Sequence, residues 1–214
     1  MASHEQIVLP AILAADNGHS SWQPPAGGHV GLLLRDIDLL ALIHRATIPG
    51  PPLALDIDTV AGLGADREAV AFVVRTLGIS VVLTRRGQLA DAAVELGGLG
   101  LLQVLAFDST GLNRSLDAHP RRPGVGTAVS PGLVLFHLRP EELAALPRPV
   151  LAYGFVEGVA IAQEMFGLAD SIVVRPETAS LLTSEWMARH AADTRPIPIR
   201  SFADGVLTPA NRVL

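Results

Sequence analysis

The stretch LALDIDTVAG, residues 53–62, consists of a short apolar run, two acids at Asp56 and Asp58, and a closing glycine. A short apolar run bounded by turn-forming residues is typical of a strand buried on both faces of a parallel sheet. Residues two apart on a strand point to the same side of the sheet. We therefore expect Asp56 and Asp58 to face a polar opening at the end of a buried strand rather than the packed core.

Similar apolar runs recur along the whole chain, and helical patterns such as 36–46 and 67–77 separate most of them. The predicted strands are 7–11, 29–34, 53–57, 79–83, 101–107, 126–129, 150–152 and 171–174. Strands that alternate with helices predict parallel βα units. Eight units in about 200 residues predict an α/β fold of the (β/α)8 TIM-barrel type. An open doubly wound sheet is the alternative.

The chain has 214 residues, which is enough for one domain with a full core. We expect the barrel to occupy residues 1–191 and residues 192–214 to form a C-terminal arm or tail. The segment TRPIPIRSF in that tail contains two prolines and could extend across its own barrel or a neighbouring copy. A disordered tail is the alternative.

Missing residue types exclude several kinds of chemistry. The chain has no cysteine and no lysine, so thiolate catalysis, cysteine-based metal sites, Schiff bases and lysine-containing phosphate loops are excluded. The formal net charge of −5 argues against broad nonspecific nucleic-acid binding. Neither a signal-peptide pattern nor a membrane-length apolar run is visible, so we expect a cytoplasmic protein with no membrane partner.

Chemically useful side chains follow the predicted strands at their carboxyl ends, where barrels of this type hold their ligands. Acids, arginines, a hydroxyl and flexible backbone positions meet there. The predicted ligand-binding residues are Asp56, Asp58, Arg85, Asp108, Ser109, Gly132, Gly154, Phe155 and Arg175. Polar strand ends also arise from turn chemistry alone, which is the simpler reading of the same residues.

Six short motifs at these strand ends resemble, in order and spacing, those of the glycerol-3-phosphate responsive antiterminator family. They are VLPAI (8–12), DIDTVAG (56–62), VLTR (82–85), FDST (107–110), SPG (130–132) and AYGFV (152–156). The resemblance spans residues 7–174. It implies a (β/α)8 barrel that binds glycerol 3-phosphate or a related anionic metabolite. It also implies transcription antitermination through RNA binding to the leader mRNA of glycerol-metabolism genes. Association into a homo-oligomer is a separate expectation.

Two departures from the family pattern fall at the expected phosphate site. Tyr153 stands where the family has the first of two glycines, so only Gly154 remains. After the eighth strand the chain has Arg175 and Pro176, and proline lacks an amide donor. Arg175 could replace backbone amides as a bidentate phosphate clamp, or it could block the site.

Two other function classes fit the same residues. A lyase or isomerase acting on a phosphorylated or carboxylated substrate could use Asp56, Asp58 and Asp108 to hold Mg²⁺. One of these acids could instead act as a general base, with Arg85 stabilising developing charge. A barrel that has lost its ligand and serves as an interaction protein is the third possibility. No catalytic residue or certain cofactor is assigned.

Overall fold

Parallel strands close into a barrel in the computed structural model, which describes residues 7–18, 22, 30–106, 111–112, 116–117, 119, 122–190, 200–203 and 206–209. A short strand β1 (Ile7–Leu9) precedes the barrel. The barrel strands are β2 (Ile12–Asp16), β3 (Val30–Leu34), β4 (Leu53–Asp56), β5 (Val81–Thr84), β6 (Leu99–Leu105), β7 (Val125–Ser130), β8 (Val150–Ala152) and β9 (Ser171–Val174).

Each barrel strand pairs in parallel with its neighbour in sequence, and β2 pairs with β9 to close the circle. The closing register sets Ile12 opposite Ile172. Strands β3, β5 and β9 are buried along their whole length, as expected for strands covered on both faces. The closed barrel confirms the predicted (β/α)8 class over the open sheet.

Helices surround the barrel, and several begin at side chains that satisfy their first amides. The Asp38 carboxylate accepts the amide of Ala41 at 2.9 Å, and Asp66 accepts that of Ala69 at 2.8 Å. The helices are Leu39–Thr47, Arg67–Ala71, its π-helical continuation Phe72–Thr76, Gly87–Glu95, Pro140–Ala145, Val159–Met165 and Pro176–His190, with 3₁₀ turns at Ile57–Thr59 and Gly132–His137.

Two apolar layers stabilise the barrel. The larger layer lies between strands and helices, and it includes Leu42, Val70 and Met165. The smaller layer fills the barrel interior with side chains from alternate strand positions, including Leu33 and Leu101. The interior is therefore packed, as in other barrels of this class.

The prediction for the first strand was wrong. Residues 7–11 do not form a barrel strand, because the chain divides at Pro10 into β1 and the true first barrel strand, Ile12–Asp16. Pro10 and Ala11 therefore lie at the amino end of the barrel, where the Pro10 carbonyl accepts the hydroxyl of Ser171 at 2.7 Å. The residue that the first strand delivers to the opposite end is Asp16.

A three-stranded antiparallel sheet lies at that amino end. Strand β1 pairs with β10 (Arg200–Ala203), which pairs with β11 (Val206–Pro209). Leu9 from β1 belongs to the interior apolar layer, so this sheet covers the bottom of the barrel. None of the helices in the described residues is long and apolar enough to cross a membrane.

Candidate functional site

Asp56 ends β4 and points into the barrel, where only 3% of the residue is exposed. The hydroxyl of Tyr153, which follows β8 across the barrel, donates to Asp56 Oδ2 at 3.1 Å. The expectation that Asp56 and Asp58 share one open face was wrong. The strand ends at Asp56, and the 3₁₀ turn Ile57–Thr59 breaks the two-residue alternation.

Burial raises the pKa of Asp56 above its ordinary value, and the neighbouring Asp58 carboxylate adds to the rise. The Tyr153 hydrogen bond and the arginines Arg35 and Arg85 oppose it. Burial also raises the pKa of Tyr153, so its hydroxyl stays protonated and acts as a donor. The pair is therefore a structural link across the barrel, with the proton on Tyr153.

Arg35, directly after β3, lies over the Tyr153 ring with its guanidinium carbon 5.5 Å from the ring centroid. Its Nε donates to Asp36 Oδ2 at 2.8 Å. The Asp36 amide donates to Thr59 Oγ1 at 2.9 Å, and that hydroxyl donates to the Asp56 carbonyl at 3.0 Å. These five residues form a closed set of contacts, which we call the Tyr153 network.

A pocket of about 290 Å³ opens beside the Tyr153 network, between the ends of β2, β3 and β9. We call it the entrance pocket. It is lined by Ala15, Asp16, Asn17, Arg35, Asp36 and Pro176. Its volume lies just below the usual range of small-molecule sites, which span about 300 to 1,000 Å³. None of its lining residues is among the predicted ligand-binding residues.

Asp58 connects the ends of β4 and β5. Its Oδ2 accepts the Thr84 hydroxyl at 3.1 Å and the Arg85 amide at 2.6 Å. The guanidinium Nε atoms of Arg85 and Arg86 lie 3.5 and 3.7 Å from its two oxygens, and both arginine side chains are more than half exposed. Within the described residues, Oδ1 of Asp58 has no hydrogen-bond partner, and only 2% of the Asp58 side chain is exposed.

The segment after β8 packs against the turn after β7. The Gly132 amide donates to the carbonyls of Tyr153 and Gly154 at 3.0 and 2.9 Å. A Cβ at Gly132 would lie 2.9 Å from Val156 Cγ2, so a larger residue here would displace the Val156 side chain. Gly154 and Phe155 both adopt positive φ, +79° and +59°, and Phe155 is 66% exposed. The Gly132 amide is thus committed internally.

Arg175 follows β9 and donates from Nη2 to Glu157 Oε1 at 2.8 Å. Both side chains are mostly exposed, 72% for Arg175 and 61% for Glu157. Pro176 begins the helix Pro176–His190. Arg175 therefore stands at the rim of the barrel mouth and not inside it.

The predicted residues fall into three groups. Asp56, Asp58 and Arg85 are neighbours, and Gly132, Gly154 and Phe155 form a second group around the ends of β7 and β8. Arg175 pairs with Glu157, while Asp108 and Ser109 lie outside the described residues. The described part of the chain contains no group of three or more His, Asp and Glu side chains arranged to hold a metal ion.

Sequence reasoning missed the entrance pocket, although a usable signal was present. Arg35 and Asp36 follow a predicted strand directly, as Asp58 and Arg85 do. Asp16 was missed because the first strand was placed five residues too early. The contact between Tyr153 and Asp56 carried no sequence signal, since the two residues are far apart in the chain.

The fold and its polar carboxyl end define a (β/α)8 barrel with a mouth of small-molecule size. Within that class, the model of the glycerol-3-phosphate responsive antiterminator family matches residues 29–173. The chain belongs to this family, which confirms the resemblance in the motifs. A comparison with curated proteins found no match.

Two solved structures resemble the protein over most of its length. A glycerol uptake operon antiterminator-related protein from Thermotoga maritima is 25% identical, with a TM-score of 0.60 over 82% of this chain and 98% of its own. A glycerol uptake operon antiterminator regulatory protein from Listeria monocytogenes is 16% identical, with a TM-score of 0.60 over 76% and 90%. The second likeness is one of fold alone.

Proposed function

We propose that the protein is a transcription antiterminator that binds glycerol 3-phosphate, or a related anionic metabolite, at the barrel mouth and acts on leader mRNA. The observation that carries this proposal is the family match, which extends from β3 to the penultimate residue of β9. Such a role requires a cytoplasmic location, where leader mRNA is made.

The charges at the mouth support an anionic ligand. Arg35, Arg85 and Arg175 follow three different strands, and each is partly exposed beside a carboxylate. A guanidinium offers paired donors that fit a phosphate or carboxylate. In this proposal Arg85 and Arg175 contact the anion, while Asp58 positions Arg85 by accepting its amide.

The other predicted contacts have different proposed roles. Gly154 and Phe155 bring backbone close to the ligand through their positive φ, and Gly132 shapes the mouth because its amide is already bonded. Asp56 acts indirectly, because its carboxylate accepts the Tyr153 hydroxyl and so fixes the ring beneath Arg35. Asp108 and Ser109 complete the proposed contacts from the segment after β6.

Regulation requires that the ligand bind one functional state more tightly than another, because a ligand with equal affinity for both does not change their populations. We propose that ligand binding changes either the RNA-binding surface or the association of protein copies. Because the net charge is −5, the protein as a whole does not attract RNA. We therefore propose that RNA binds to a local surface that contains arginines.

An enzyme alternative has less support from the geometry. A general base needs an accessible carboxylate, but Asp56 is buried against Tyr153. The Asp58 side chain is also buried, with 2% exposed, and its Oδ2 already accepts two hydrogen bonds, from Thr84 and Arg85. These contacts favour the binding role.

The first test is calorimetric titration of the full chain with glycerol 3-phosphate, with and without Mg²⁺. Uncharged glycerol is the control for the anionic group. Micromolar affinity, about −8 kcal/mol, is the expected result. The absence of heat and of thermal stabilisation at millimolar ligand would contradict glycerol 3-phosphate as the metabolite.

Two further measurements separate the parts of the proposal. Arg85→Ala is expected to weaken anion binding with little change in thermal unfolding, since the Arg85 side chain is 57% exposed. Unfolding of this variant with unchanged affinity would make Arg85 structural. Read-through of a leader terminator in a transcription assay, with and without ligand, tests the RNA step separately.

A further inference from the structure

We propose that the entrance pocket is the binding site for a small anion that carries hydroxyl groups, and that Arg35 is its anion-binding residue. The identity of the ligand as a metabolite of the glycerol 3-phosphate type rests on the proposed function. The location of the site rests on the pocket itself. It places the anion at Arg35 instead of at Arg85 and Arg175, neither of which lines the pocket.

The Tyr153 network holds Arg35 in place before any ligand arrives. The guanidinium lies over the Tyr153 ring, and the hydroxyl of that ring is bonded to buried Asp56. The same guanidinium donates through Nε to Asp36, whose backbone is fixed by Thr59. A charged group positioned in advance loses little freedom on binding, which favours affinity.

The bonds that fix Arg35 leave its terminal nitrogens available. Only Nε of Arg35 donates to a partner within the described residues, and 37% of the side chain is exposed. The two Nη groups can therefore form the paired hydrogen bonds that a phosphate or carboxylate accepts. The neighbouring strand end is fixed as well, because the Arg35 amide donates to the Asp16 carbonyl at 2.9 Å.

The two acids that line the pocket suit hydroxyl groups. Asp16 is buried, and its Oδ1 accepts the Gly18 amide at 3.0 Å while Oδ2 lies 3.7 Å from Arg45 Nε. Asp36 is more exposed and shares one oxygen with Arg35. Each carboxylate oxygen can accept more than one hydrogen bond, so both residues retain capacity for ligand hydroxyls.

Two acids and one arginine line the pocket, and each acid is paired with an arginine. The pairs Asp16–Arg45 and Arg35–Asp36 are each neutral overall. The helix Pro176–His190 begins at Pro176 in the pocket wall, and a helix start adds partial positive charge. A ligand with a negative end at the Arg35 Nη groups and hydroxyls at the two acids uses all three charged side chains of the lining.

Calorimetry on two matched arginine variants tests this assignment. Arg35→Met removes the proposed anion contact, while Arg139→Met changes a 68% exposed arginine paired with Glu141 and Glu142, outside the pocket lining. The probes are glycerol 3-phosphate, glycerate and glycerol. The two anions distinguish phosphate from carboxylate recognition, and glycerol reports hydroxyl contacts alone.

We expect Arg35→Met to weaken the better anion by at least about tenfold, and Arg139→Met to leave its affinity unchanged. Arg35→Lys should restore part of the affinity, since it keeps the charge but not the paired donors. Asn17→Trp is a second variant, which fills the pocket without removing a charge. It should also abolish binding, and it decides the question if Arg35→Met does not fold.

The outcomes separate this inference from the proposed function. If the unaltered protein binds an anion, and both Arg35→Met and Asn17→Trp bind it equally well, the entrance pocket is not the site and the proposed function stands. If the unaltered protein binds neither anion at millimolar concentration, both the pocket assignment and the proposed metabolite sensing are overturned.

Discussion

Arg35 and Arg175 both follow a barrel strand, and each donates to a carboxylate oxygen at 2.8 Å. Their surroundings differ. Arg35 lies over a buried tyrosine and is 37% exposed, whereas Arg175 is 72% exposed and bonds to the exposed Glu157. The Arg35–Asp36 pair is therefore supported by the protein core, whereas the Arg175–Glu157 pair has only solvent-exposed contacts.

The comparison shows that an ion pair is positioned by what lies beneath it. An exposed pair contributes little to stability, about 0 to 1 kcal/mol, because water and side-chain entropy offset its attraction. The Arg35 pair is connected through Tyr153 and Asp56 to the barrel interior. Changes in Tyr153 and Asp56 should therefore alter Arg35, and leave Arg175 unaffected.

The largest expected effect is that of Tyr153→Ala. It removes a buried ring from the barrel interior, and such large-to-small changes cost about 3 to 5 kcal/mol. Urea unfolding measures the loss, and anion affinity should fall as well, because Arg35 loses its support. A loss of less than about 1 kcal/mol would indicate that Tyr153 is not packed as described.

Tyr153→Phe sharpens the comparison by keeping the ring and removing only the hydroxyl. Asp56 Oδ2 then loses its donor, and an unsatisfied buried group costs about 1 to 3 kcal/mol. Arg35 keeps its position over the ring, so anion affinity should change much less than in Tyr153→Ala. Equal affinity losses in the two variants would contradict the support of Arg35 by the ring.

The variant Asp56→Asn removes the titratable charge of Asp56 and keeps the size and shape of its side chain. Because burial raises the pKa of Asp56 in the folded protein, the folded state binds this proton more tightly than the unfolded state. The contribution of Asp56 to the free energy of unfolding is full below the ordinary pKa and falls as pH rises through the folded pKa. Asparagine removes this dependence and still accepts the Tyr153 hydroxyl.

As pH rises from acid to neutral, we expect the melting temperature of Asp56→Asn to increase relative to that of the unaltered protein. Thermal unfolding over that range measures it, with Asp66→Asn as a control at a helix start. A difference between the two proteins that does not vary with pH would mean that Asp56 titrates with an ordinary pKa.

The smallest expected effect is that of Arg175→Ala on stability. Its ion pair with Glu157 is exposed, so the free energy of unfolding should change by no more than about 1 kcal/mol. Urea unfolding of this variant and of Arg35→Ala, in parallel, gives the direct comparison. If Arg175→Ala lowers the free energy of unfolding more than Arg35→Ala does, the claim that the core supports Arg35 and not Arg175 is wrong.

Most of the barrel could be predicted because parallel strands buried on both faces appear in sequence as short apolar runs. The predicted strands 150–152 and 171–174 match β8 and β9. The first strand failed for the same reason, since the apolar residues on both sides of Pro10 look like one run. Only their pairing partners distinguish β1, which bonds to β10, from β2, which bonds to β3 and β9.

The candidate site was less predictable, because its contacts join residues distant in sequence. The rule that useful side chains follow strands brought Asp58 and Arg85 together, and the structure has them adjacent. It assigned Asp56 to the open mouth, because sequence does not reveal that the strand stops there and a 3₁₀ turn begins. The hydrogen bond from Tyr153 to Asp56 depends on the closed barrel and has no local pattern.

The sheet of β1, β10 and β11 has a consequence for the time course of folding. Val8 pairs with Ser201, so β1 is made first and its partner is made after the last barrel strand. Contacts between such distant residues form slowly, since closing a long loop costs entropy. On the ribosome, β1 therefore stays without its partner until synthesis has passed β10, so this sheet cannot cover the bottom of the barrel before then.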